Sequence, residues 1–232
     1  MKPIASKRLR SAIKYVLPLA VIPAVVLLGA AVFREKYYAL ISLAVVVLSQ
    51  LVFFAGFETR TVGTRRLVIT AVMTALSVAG RAVFAPIPAF KPVTAIVIIT
   101  AVWIGCETGF LVGSLSALIS DFFFGLGPWT PFQMLSWGLI GFLAGLLSKP
   151  LKKSRFALAL YGVLAGAAYS LLMDIWTVTW SSGEPNIRLY LAAIVAALPH
   201  TLSYAVSNVI FLLLLGRPFG EKLERVKLKY RI

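Results

Sequence analysis

The chain has 232 residues, of which 60% are hydrophobic and 13% charged, and 23 Lys and Arg against 8 Asp and Glu give a net charge of +15. That balance lies outside the range of soluble domains. Long apolar runs separate the basic residues into clusters, so the excess charge reads as anchoring against anionic lipid and argues against nucleic acid as a partner. The single cysteine, Cys106, excludes an intrachain disulfide and any multi-cysteine metal site.

Eight apolar segments follow one another, at 15–33, 37–56, 67–86, 89–106, 108–125, 131–147, 156–180 and 189–215. The first comes after Lys2, Lys7, Arg8, Arg10 and Lys14, like the basic start of a signal peptide. It is nevertheless long enough to span about 30 Å of hydrocarbon, and no small-residue cleavage site follows it, so a retained helix is expected. The fourth is barely long enough to cross, because Lys91 and Pro92 open it. The last two exceed the usual ~20 residues and are expected to tilt or kink, with Pro199 as the kink site. With both termini on the cytoplasmic side, 18 of the 23 basic residues fall on that side, leaving Arg34, Lys36, Arg81, Lys91 and Arg188 outside. The expectation is therefore an all-α integral membrane protein with an even number of spans.

Helices in lipid pack closely through small residues. Ala71, Ala75 and Ala79 form one ladder at four-residue spacing. Gly105, Gly109 and Gly113 form a second, and Gly141/Gly145 and Gly162/Gly166 continue the pattern. Each reads either as packing inside the bundle or as a docking face for a separate membrane partner.

Ionisable residues within apolar segments are costly and face a cavity or a partner. Arg81, Lys91, Asp121 and Asp174 all fall in the outer half, next to three aromatic and polar loops, 84–90, 122–130 and 176–180, the last leading to Glu184 and Asn186. Aromatic walls with a few polar groups describe a small-molecule pocket open to the outside. Its candidate lining is Arg81, Lys91, Asp121, Phe122, Trp129, Gln133, Asp174, Trp176, Trp180 and Asn186. The structural alternative is an interfacial aromatic belt, with Arg81 reaching the surface or pairing with Asp174. His200, near mid-membrane, reads as a buried hydrogen-bonded packing residue, and no second His or Cys pair makes a metal site of it. No catalytic set, P-loop, nucleophile elbow or dinucleotide fingerprint is present, so neither a cofactor nor ATP hydrolysis by this chain is expected.

The stretch Leu67-Val-Ile-Thr-Ala-Val-Met-Thr-Ala-Leu-Ser-Val-Ala-Gly-Arg81 resembles the first helix of the substrate-binding S components of energy-coupling factor (ECF) vitamin transporters. Phe90-Lys-Pro-Val-Thr-Ala-Ile-Val-Ile-Ile99 and Phe124-Gly-Leu-Gly-Pro-Trp-Thr-Pro-Phe-Gln-Met134 extend the resemblance. It implies a six-helix S-component-like bundle over 65–217, preceded by two extra N-terminal transmembrane helices within 1–64 and followed by a basic cytoplasmic tail, 218–232. It further implies that Ala71, Ala75 and Ala79 contact a transmembrane coupling subunit driven by two cytoplasmic ATPases, in a prokaryotic cell membrane. A vitamin would bind from outside, and the 124–134 loop resembles the cobalamin-type subgroup most. A carboxylate vitamin would instead engage Arg81 or Lys91. The competing classes are a stand-alone secondary transporter and an intramembrane lipid-modifying enzyme.

Overall fold

In lipid a backbone finds hydrogen-bond partners only within itself, so apolar runs of this length become helix. A computed structural model describes residues 13–33, 37–55, 60–182 and 186–230, and only the backbone of 53–55, 60–64, 180 and 181. Glu184, Arg34, Lys36 and the basic residues from Lys2 to Arg10 lie outside the described residues, as does the side chain of Trp180. Among the described residues there is no strand.

Each of the eight apolar segments is a helix. They are α1 (Ile13–Phe33), α2 (Tyr38–Ala55), α3 (Arg60–Val83), α4 (Val93–Ile104), α5 (Cys106–Phe124) and α6 (Thr130–Leu146). A short α7 (Ser148–Lys153) precedes α8 (Arg155–Ser182) and α9 (Ile187–Tyr230). Five of these, α1, α3, α5, α8 and α9, contain stretches long and apolar enough to cross a membrane. The weak fourth segment becomes the shortest of the eight. Pro92 sets the start of α4, whose 12 residues rise only about 18 Å.

The core is built around α4, α5 and α6, each of which packs on the other two. α3 lies on α4 and α5, α9 on α4 and α8, and α8 on α6. α4 is buried along almost its whole length. Between α4 and α5 the chain turns at Gly105, whose φ of +146° is a conformation that side-chain-bearing residues rarely adopt. Gly105 therefore breaks the helix instead of continuing a ladder. The other glycines pack inside the bundle. A Cβ on Gly109 would overlap Ala101, one on Gly141 would meet the Gly109 carbonyl, and one on Gly113 would overlap the Trp137 backbone. A Cβ on Gly162 or Gly166 would press into α9, at Leu212 and Ala205. The alanine ladder behaves oppositely. Ala71, Ala75 and Ala79 are all exposed, beside exposed Val68, Val72 and Leu76, while Ile69, Thr70, Met73, Thr74 and Ser77 on the reverse side are buried.

α1 and α2 pack on each other and then on α5 and α6, away from the alanine face of α3. Two further expectations change. α9 does not end near residue 215; it runs unbroken for 44 residues through Pro199 and Pro218 to Tyr230. The tail continues as helix because Phe219, Leu223 and Val226, at helical spacing, pack against the core, and Gly220 lies against the Trp103 indole. His200 is exposed on the flank of α9 and is not a buried packing residue.

Candidate functional site

Two elements deliver charge to one end of the bundle. Arg81 stands in the last turn of α3 and Asp121 near the end of α5, and their side chains form an ion pair of 2.8 Å. Asp121 is completely buried and Arg81 nearly so. A carboxylate at that depth is tolerable only when its lone pairs are used. The second oxygen of Asp121 accepts from Thr130 Oγ1 at 2.8 Å, and Thr130 Oγ1 in turn accepts the Gly127 N–H at 3.2 Å. Arg81 also donates to Ser120 Oγ. Asp121 thus fastens α3 and closes the 122–130 loop onto α5. The partner of Arg81 is Asp121, 40 residues along the chain, and not Asp174.

Around this pair stands an aromatic stack that the sequence reading missed. The Arg81 guanidinium lies 5.3 Å from the Trp137 ring and 5.1 Å from that of Phe124. Trp137 stacks on Tyr169, with centroids 5.1 Å apart and an interplanar angle of 17°, and Tyr169 meets Tyr204 edge-on at 5.0 Å. The Trp137 indole N–H is satisfied by Thr94 Oγ1 at 3.1 Å. A signal for this stack existed. Trp129, Gln133 and Trp137 are spaced four apart, and Tyr169 and Trp176 seven apart, so each set shares a helix face.

Lys91 lies in the turn before α4. Its carbonyl accepts from Ser207 Oγ at 3.0 Å and its ammonium sits 6.0 Å from the Phe124 ring. Burial, and secondarily the charge of Arg81, holds that ammonium below the ordinary lysine range. Ala89, at φ +57°, is the one described non-glycine residue with positive φ, and it shapes this turn.

A second aromatic pair stands where α6 meets α8. Trp129 and Trp176 meet edge-to-face with centroids 5.7 Å apart. The Trp129 ring lies so close over Gly127 that a Cβ there would overlap it. One turn along α6 from Trp129 is Gln133, on the same helix face, while Asp174, two residues back from Trp176, lies on another face of α8. Both are buried, and neither Gln133 Oε1 nor Asp174 Oδ2 has a hydrogen-bond partner. Two such acceptors in apolar surroundings are an unmet cost unless a donor reaches them.

Of the ten candidate residues, the structure brings Arg81, Lys91 and Asp121 together around Phe124, and it sets Trp129 and Trp176 against each other, with Gln133 and Asp174 beside them in sequence. It places two elsewhere. Phe122 points outward, 65% exposed. Asn186 caps α9, its Oδ1 accepting the N–H groups of Arg188 and Leu189 at 3.0 and 3.2 Å.

Residues 61–225 match the family model described as ECF-type riboflavin transporter, S component. That match replaces the cobalamin-type subgroup suggested by the 124–134 loop. No curated protein and no solved structure matches the chain. The matched segment takes in α3 to α9 and leaves out α1 and α2. The family is one of transporter subunits, the S components of ECF-type transporters. With the matched segment covering most of its length, this multi-pass membrane chain belongs to the ECF-type riboflavin transporter S component family.

Proposed function

We propose that this chain captures riboflavin, or a closely related neutral flavin, from outside the cell and passes it inward together with a transmembrane coupling subunit and two cytoplasmic ATPases. The observation that carries the ligand assignment is the Trp129–Trp176 pair with a buried, unpartnered acceptor, Gln133 Oε1, one helical turn from Trp129. A flat ring system offers a face to the indoles, and an imide N–H or a chain hydroxyl offers a donor to the Gln133 carbonyl. A carboxylate vitamin fits less well at Arg81, because that guanidinium is already neutralised by Asp121. The exposed ladder of Ala71, Ala75 and Ala79 supplies the face for the coupling subunit, since small side chains let a partner helix approach closely.

Titration of the purified protein with riboflavin, followed by quenching of flavin fluorescence, tests the reading. Saturable binding is expected. Trp129→Ala should raise the dissociation constant roughly 5- to 150-fold, the equivalent of about 1–3 kcal/mol of aromatic packing. Arg81→Gln should cost less binding than Trp129→Ala in those molecules that remain folded. Absence of riboflavin binding, or a larger loss with Arg81→Gln, overturns the neutral-flavin assignment.

A further inference from the structure

At 44 residues, α9 is about 66 Å long, more than twice the thickness of a hydrocarbon core. Its last third is clamped on one side. Gly216, Gly220 and Leu223 are buried, Lys152 pairs with Glu224 at 2.9 Å, and Arg65 of α3 donates to the Tyr230 carbonyl. The opposite face is open. Arg217, Pro218, Glu221, Lys222 and Arg225 are exposed and line a groove of about 330 Å³. Three cations thus share it with one acid.

The position of this groove along the helix identifies its occupant. Ile210, Leu214, Arg217, Glu221 and Arg225 follow one another at spacings of three and four, so they form a single stripe. Ile210 is 39% exposed and Leu214 64%, which makes the first part of the stripe a surface for acyl chains. Arg217 stands about 5 Å further along, one step past the last leucines, where the apolar run of the helix ends. The same face therefore changes from apolar to cationic as a phospholipid does. We propose that this groove is a binding site for an anionic phospholipid, its phosphate held by Arg217, Lys222 and Arg225 and its chains lying along Ile210 and Leu214. Pairing with Lys152 takes Glu224 out of the electrostatic balance, so Glu221 is the one acid in the groove opposing the ligand.

Native mass spectrometry of the detergent-solubilised full chain, titrated with phosphatidylglycerol or with phosphatidylcholine, tests the site. Phosphatidylglycerol adducts should form at lower lipid concentration. Removing each cation should weaken them on the order of fivefold, so Arg217→Gln/Lys222→Gln/Arg225→Gln should bring the two lipids level. Glu221→Gln should act in the opposite direction and strengthen phosphatidylglycerol binding. It decides the matter alone if the triple variant does not fold, as judged by thermal unfolding. Equal binding of the two lipids by the unaltered protein, undiminished preference in the folded triple variant, or no gain with Glu221→Gln overturns the proposal. Displacement of phosphatidylglycerol by millimolar inorganic phosphate overturns it too, by making the groove a general anion site.

Discussion

α5 carries an acid near each end, and the two ends are held in different ways. Asp121 binds Arg81 of α3 at 2.8 Å and accepts a second hydrogen bond from Thr130, so both of its oxygens are used within the family-matched segment. Glu107, at the opposite end, binds Lys14 of α1 at 2.6 Å, across the boundary between the matched segment and the helices that precede it. Arg66 of α3 approaches the same spot, its guanidinium and the Glu107 carboxylate both lying beside Gly105. Asp121 is completely buried with a nearly buried partner, whereas the Lys14 side chain keeps 29% of its surface. One pair is a closed network that sets the shape of the candidate site. The other is a more open link between the bundle and a helix that precedes the matched segment. Buried charges are expensive singly and tolerable in networks, so the two ends should respond differently to the loss of one partner.

Asp121→Leu gives the largest expected loss of stability. It strands the Arg81 guanidinium and removes the acceptor of Thr130, at a cost of about 3–5 kcal/mol. Arg81→Met/Asp121→Leu should recover most of that, because no charge is then left unpaired. Thermal unfolding of the three proteins in the same detergent checks the order. A double variant as unstable as Asp121→Leu would show that the pair is not the closed unit described. The effect at the other end is smaller and asymmetric. Lys14→Met leaves a buried carboxylate that Arg66 only partly compensates, at about 1–2 kcal/mol. Glu107→Gln should cost less, because the freed Lys14 can extend toward water. Equal losses for the two would mean that Lys14 contributes packing and not charge.

The helices were legible in the sequence because hydropathy and length alone dictate them in lipid, and each of the eight apolar segments became one. Their ends were less so. Charge conceals the stripe of Phe219, Leu223 and Val226, so the tail read as a solvated basic run when it is the continuation of α9. Within the site, the residue types were legible and the pairings were not. Nothing local in the sequence selects Asp121 over Asp174 for Arg81; that choice is made by α3 packing on α5. Trp137 and Tyr169 shared helix faces with residues already singled out, and were passed over because they lie away from the aromatic loops. The small-residue ladders show the same limit. Gly109, Gly113 and Gly141 face the interior and Ala71, Ala75 and Ala79 face outward, although the spacing is identical.

That last contrast gives the prediction with the smallest effect on the fold. Ala71 and Ala75 sit on a face that α1 and α2 leave bare, since those helices pack on α5 and α6. A leucine at either position projects away from the bundle and displaces nothing within it, so Ala71→Leu/Ala75→Leu should change thermal stability by less than about 0.5 kcal/mol. Riboflavin binding by the isolated subunit should also be unchanged, because Ala79 and Arg81, nearer the candidate site, are untouched. The added bulk would nevertheless hold a partner helix away from α3, where close approach is the main source of association in lipid. Co-purification with the coupling subunit and the two ATPases should therefore fall, and uptake with it. A double variant that assembles and transports normally would remove the alanine face from coupling. One that loses thermal stability as steeply as Asp121→Leu would mean that this face is held inside the subunit, as the glycines are, and that the difference between the two ladders is not one between partner contact and internal packing.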